Sequence, residues 1–131
     1  MIKFRAWDKV FKEMVQVNAL VLDEQVVKVT YKNGNVAKED MKEYELMQST
    51  GLFDRNNKEI FEGDIITNGK DVMCMKRHNT LGFYVEQKGK VEFIADSAVL
   101  EEFEEDAKEI ADSLEIIGNI YENKDILEAE R

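Results

Sequence analysis

Four carboxylates crowd into one short stretch, Asp54, Glu59, Glu62 and Asp64. Paired carboxylates can do general acid–base work, and clustered ones can hold a hard cation. Asp54-x-Asn56 opens like a calcium loop. The pattern then breaks, with Lys58 at the fifth position, Glu59 where the loop glycine belongs and Ile65 where the bidentate glutamate belongs. An EF-hand is therefore rejected, while a looser cation site or carboxylate pair stays open as an alternative. The preferred reading gives Asp54 and Asp64 a structural task, accepting backbone N–H bonds and fixing the turns in which they sit.

The remaining reactive side chains are sparse. His78, in Lys76-Arg77-His78-Asn79-Thr80, is the one histidine, and Cys74 the one cysteine. One of each excludes a structural zinc site of the usual four-ligand kind. A general base also needs an orienting group and a nucleophile, and there is no G-x-S-x-G motif to supply one. His78 is read as a solvent-exposed loop residue. No G-x-G-x-x-G or Walker A glycine loop is present. We expect no catalytic residue, no cofactor and no metal, and read the chain as a non-enzyme.

The elements that must position these residues are mostly strands. Ile2, Phe4 and Ala6 alternate with Lys3, Arg5 and Trp7, which is period two. Met14-Val15-Gln16-Val17 returns as a hairpin partner, and Trp7 packs on it. Leu20 to Tyr31 repeats strand, turn and strand, and Asn33-Gly34 is a turn signal. Asn35 to Glu45 is highly charged and reads as a loop, with a short helix as the alternative, leading to a short strand over Tyr44–Gln48. Gly51 punctuates, and Asp54-Arg55-Asn56-Asn57-Lys58 is a polar turn in which Asn57 best tolerates a positive φ. Gly63 lets the chain bend between Ile60-Phe61 and Ile65-Ile66.

Further on, short strands alternate with glycine turns through Ile94, a spacing that suggests a small barrel opening at Ile65-Ile66 and ending at Ile116–Tyr121. Between them, Val99, Phe103, Ala107, Ile110 and Leu114 recur at helical spacing, widened by Leu100 and Ala111. This predicts an amphipathic helix over about 97–114, with Ser97 as N-cap and Glu101, Glu105 and Asp112 on its polar face. Asn123 caps a short last helix, Lys124 to Ala129, whose large apolar residues are Ile126 and Leu127.

The chain of 131 residues is acidic, with a net charge of -10. The acid is concentrated late: residues 1–96 carry net -1, residues 97–114 net -6 and residues 115–131 net -3. Phosphate backbones repel such a chain, so nucleic acid is a disfavoured partner. Basic residues Arg55, Lys58, Lys70, Lys76, Arg77, Lys88 and Lys90 keep a nucleic-acid-binding module as the alternative. No apolar run reaches the roughly 20 residues of a membrane span, and the start does not read as a signal peptide. With a lone cysteine, a cytoplasmic protein is expected.

Three blocks resemble one family. They are Ile2-Lys3-Phe4-Arg5-Ala6-Trp7-Asp8; Gln48 to Asp54 leading into Lys58-Glu59-Ile60-Phe61-Glu62-Gly63-Asp64-Ile65; and Ile116-Ile117-Gly118-Asn119-Ile120-Tyr121-Glu122-Asn123. In this order they resemble the YopX family of bacteriophage and prophage proteins. The family usually has Asn-Gly where this chain has Asn56-Asn57, and a proline where it has Lys124. The resemblance implies a β-rich fold, self-association, and no established activity. It marks Thr50, Gly51, Asp54, Asn57, Glu62, Gly63, Asp64, Gly118, Asn119 and Tyr121 as motif residues. The expected architecture is mainly β (α+β), with an N-terminal β-hairpin unit over 1–49. An SH3-like small barrel with the inserted helix and tail follows over 50–131. The expected function is that of a phage accessory protein that forms homo-oligomers and binds phage or host protein. Its contact surfaces would be Glu101, Glu105, Asp112, Ile126 and Leu127.

Overall fold

A computed structural model describes residues 3–78, 82–87, 90–95 and 108–129. The chain divides into two units, Met1–Ser49 and Thr50–Arg131.

The first unit is a meander. Strands β1 (Phe4–Asp8), β2 (Glu13–Val21), β3 (Val26–Thr30) and β4 (Val36–Asp40) pair antiparallel in sequence order. β5 (Tyr44–Phe53) then pairs with the other edge of β1, setting Phe4 against Gln48 and Asp8 against Tyr44. Its core is Ala6, Val15, Val27, Val29 and Tyr44, all buried on the inward positions of the pleat.

Three parts of this unit depart from the sequence-based expectation. β2 is one long strand, because its register shifts between Val17 and Ala19. The extra residue, Asn18, interrupts the period-two pattern and makes one strand look like two. Residues 36–43 are not a loop: they form β4 and a short 3-10 turn, Met41–Glu43, after which the strand expected at Tyr44 begins. β4 is an edge strand with Val36, Lys38, Glu39 and Asp40 exposed, so no buried stripe announces it. Gly51 does not end a strand. It lies inside β5, which runs on to Phe53.

In the second unit the end of β5 pairs with β6 (Glu59–Phe61). A separate sheet has the order β10-β9-β8-β7-β11, built from β7 (Asp64–Thr67), β8 (Val72–His78), β9 (Gly82–Gln87), β10 (Lys90–Ala95) and β11 (Glu115–Asn119). Neither sheet closes on itself among the described residues, so what stands is a mainly β protein with two antiparallel sheets. Leu52, Ile60, Ile66, Met75, Val85, Ala111 and Leu114 form one buried cluster.

The expected helix over 97–114 is described only at its end, where residues 108–112 are helical. Glu101, Glu105 and the side chain of Leu127 lie outside the described residues. Ala111 and Leu114 bury as the periodicity requires, whereas Ile110 is exposed and leaves the expected stripe. His78 closes β8, its backbone opposite Gly82, and is not in a loop. A last helix, α1, covers Lys124–Ala129.

Candidate functional site

The motif residues of the second unit gather around two buried carboxylates. Asp54 follows β5 and is 3% exposed. Its Oδ1 accepts the N–H groups of Asn56 and Lys58, both at 2.9 Å. Its Oδ2 accepts the Ile116 N–H at 2.9 Å, 62 residues away in sequence. The backbone repeats the link, because Arg55 N–H donates to the Leu114 carbonyl at 2.8 Å. Asp54 thus shapes its own turn and straps that turn to the start of β11. The turn closes through Asn57, whose φ of 63° is the left-handed conformation asparagine tolerates. Burial pushes the Asp54 carboxyl up, but the N–H groups of Ile116, Lys58 and Asn56 and the Lys58 charge outweigh it. The result lies below the ordinary carboxylate value.

Asp64 opens β7 and is 1% exposed. Its Oδ2 accepts the Phe61 N–H at 2.7 Å, which holds the β6–β7 turn shut. Gly63 sits in that turn at φ 90°, a conformation an L side chain resists. Its N–H donates to the Met75 carbonyl at 2.8 Å, and its carbonyl accepts the Ile120 N–H at 2.9 Å. One residue therefore ties β8 and the end of β11 to the same bend. Thr50 works alike nearby: its hydroxyl donates to the Ile60 carbonyl at 2.7 Å and accepts the Leu52 N–H.

Asn119 is the register partner of Asp64 across β7 and β11, and is also buried. Its Oδ1 accepts the N–H groups of Tyr121 (3.0 Å) and Glu122 (2.9 Å), and its Nδ2 donates to Glu122 Oε1 at 2.8 Å. Its own N–H donates to Asn123 Oδ1 at 3.2 Å, and the Asn123 N–H returns a bond to the Asn119 carbonyl at 2.9 Å. Gly118 leaves room for this: an added Cβ would stand 2.6 Å from Asn123 Oδ1.

The structure thus brings Thr50, Asp54, Gly63, Asp64, Gly118 and Asn119 into backbone-holding roles. Glu62 faces Arg77 at 3.7 Å. Among the described residues, no three of His, Cys, Asp and Glu converge as a ligand group. Asp112 is exposed and Ile126 half-buried. Of the basic residues named above, Arg55 pairs with Glu115, Lys76 with Glu86 and Arg77 with Glu62, while Lys88 and the side chain of Lys90 lie outside the described residues. Among the described residues, no helix is long and apolar enough to cross a membrane.

A second polar cluster was not anticipated from the sequence. In the first unit Asp8, 2% exposed, accepts the Val10 and Phe11 N–H groups on Oδ1 and the Tyr31 hydroxyl on Oδ2 at 2.7 Å. The Tyr31 and Tyr44 hydroxyls share a further bond of 2.6 Å. A carboxylate accepts only, so Tyr31 donates to Asp8 and is left to accept from Tyr44. Burial first, then these two neighbours, raise the Tyr31 phenol far above its ordinary value. Phe11, 72% exposed, sets its ring edge-on to Tyr31 with centroids 6.4 Å apart. The three polar residues are far apart in sequence and share no motif, so nothing local in the sequence brings them together.

No curated protein matches the chain. Among solved structures, the crystal structure of protein EF1440 from Enterococcus faecalis matches with a TM-score of 0.63 and 27% identity, over 97% of this chain and 98% of that one. The YopX protein family matches residues 3–128, nearly the whole length. The chain belongs to the YopX family.

Proposed function

We propose that this protein is a non-enzymatic, self-associating protein-binding module, an accessory protein of the phage or prophage setting that its family implies. The observation that supports this reading is the use made of the motif residues. Asp54 has three backbone N–H groups on its two oxygens and a lowered pKa. A carboxylate so committed is a poor proton acceptor for chemistry, and a good strap. The residues that mark the family therefore support a scaffold, and function falls to the surfaces the scaffold carries.

The second unit is read as an SH3-like barrel. In its favour, the first strand of the five-stranded sheet, β7, lies between the second, β8, and the last, β11. The cytoplasm is the compartment proposed, in keeping with a free, buried Cys74 thiol. Assembly is placed on Asp112 with the acidic segment before it, and on α1. A helix of six residues is too short to hold itself in water, so the tail is read as docking on another surface. A second copy is that surface in this reading. Nucleic acid is the lesser reading, because the ion pairs of Arg55, Lys76 and Arg77 blunt the basic field it requires.

The test is solution mass by light scattering at low and high salt, with and without DNA. The expected result is a salt-insensitive oligomer that ignores DNA and whose mass falls when the chain is cut after Asn123. An unchanged mass in the truncated chain removes the tail from assembly. A monomer that shifts onto DNA at low salt overturns the whole reading.

A further inference from the structure

β4 ends its sheet: it pairs with β3 on one side, and among the described residues no strand pairs with its other side. The two ends of the β3–β4 ladder show which backbone groups face outward. At one end the Tyr31 N–H donates to the Asn35 carbonyl at 2.8 Å, and at the other the Met41 N–H donates to the Gln25 carbonyl at 2.9 Å. Between them the register runs without a shift, from Thr30 opposite Val36 to Val26 opposite Asp40. Hydrogen-bonded and non-hydrogen-bonded pairs alternate in an antiparallel ladder. Ala37 and Glu39 are therefore bonded to β3, whereas Val36, Lys38 and Asp40 turn both N–H and C=O away from it. All three are exposed. The Asp40 side chain is already used, since it caps the 3-10 turn through the Lys42 N–H. The free edge is the stretch from Val36 to Lys38.

The edge carries no proline or bulge to stop a further strand, and its guard is charge. Lys28 and Lys38 stand directly opposite each other on one face, a like-charge pair. Glu24 meets Lys38 at 3.4 Å, while Lys28 forms no ion pair among the described residues. A cationic strand is repelled here. So is a second copy, because full-length antiparallel pairing of β4 with β4 sets Lys38 against Lys38. An acidic residue in that place relieves the lysine pair instead. Apolar contact is on offer beside it: Val36 is 74% exposed on the lysine face, and Ala37 is half-buried against the first core on the other. We propose that β4 is a docking edge for an extended acidic segment of a partner protein, which adds antiparallel as one more strand. The segment places an acid opposite Lys38 and apolar residues opposite Ala37 and Val36, in that order along its chain. This goes beyond the reading above, since it uses neither α1 nor self-association.

The experiment follows amide exchange in the full, isotope-labelled chain as a capped heptapeptide, Ser-Thr-Glu-Ile-Val-Thr-Ser, is added to millimolar concentration. A second peptide carries Lys in place of Glu. The Val36 and Lys38 N–H groups should gain protection, while those of Ala37 and Glu39, already bonded to β3, gain little. The Lys peptide should bind about tenfold more weakly, and Lys38→Glu should reverse the order of the two peptides. Lys38→Pro removes a donor that only an added strand would use, so it should keep a cooperative melt and lose binding. If Lys38→Pro does not fold, Lys38→Glu still decides the matter through the order of the peptides. The proposal is overturned if Val36 and Lys38 gain no protection with either peptide, or if the Glu and Lys peptides bind alike. It is also overturned if protection at Val36 and Lys38 rises with protein concentration in the absence of peptide, because a second copy then fills the edge.

Discussion

Asp54 holds its turn with one oxygen and β11 with the other, and the two tasks can be separated by substitution. Asp54→Asn keeps an oxygen for Asn56 and Lys58 but presents an NH2 group to the Ile116 N–H. It should cost on the order of 2 kcal/mol in urea unfolding, because a buried donor loses its acceptor. The pH dependence has a definite sign. The folded pKa lies below the unfolded value of about 3.9, so the stabilisation is complete above that value. It is lost as the pH falls through the lower folded pKa. The urea midpoint of the parent should therefore drop below about pH 4 more steeply than that of Asp54→Asn. At Tyr31 the sign reverses. Its raised pKa gives stability that is present below the unfolded value near 10 and lost as the pH climbs above it. Tyr31→Phe strands both Asp8 Oδ2 and the Tyr44 hydroxyl, and should cost about 1–3 kcal/mol. A chemical melt of the variant at neutral pH checks this.

The helix α1 makes sense of the proline that the family usually carries after its last asparagine. Lys124 is the first helical residue, where a backbone N–H has no partner within the helix and a fixed φ is already suitable. Lys124→Pro should therefore be tolerated, raising stability by up to about 1 kcal/mol and leaving the solution mass unchanged. A lower mass would show that Lys124 itself contributes to contact. Elements of this kind were legible to different degrees. The Asn57 turn could be read because its conformation is set by neighbours in sequence. The partner of Asp54 could not, since Ile116 is 62 residues away. β4 escaped because an exposed edge strand needs no alternation, and its charges resemble those of a loop. β2 was split in the reading because Asn18 breaks the period at the bulge.

Among the described residues, the two buried clusters share no residue, and the division between units falls inside β5. The neighbours Ser49 and Thr50 bond in opposite directions along the chain, Ser49 N–H to the Lys3 carbonyl and Thr50 hydroxyl to the Ile60 carbonyl. Substitutions in the two cores should therefore act independently. Ile66→Ala is expected to cost about 2–5 kcal/mol and Val29→Ala about 1.5 kcal/mol, with the double variant additive to within about 0.5 kcal/mol. A larger coupling energy in the double-mutant cycle would mean that one strand common to both units transmits strain between them. Cys74 offers a way to watch one unit alone. It lies in the middle of the second unit's sheet, 4% exposed, opposite Ile65 on β7 and Glu86 on β9, with burial the main reason its thiol is pushed up to about 11. In the closed fold it is both hidden and protonated, so an alkylating reagent has nothing to attack. The native chain thus carries its own stopwatch: at reagent concentrations where alkylation outpaces reclosing, the rate at which this single sulfur is alkylated is the rate at which the second sheet opens.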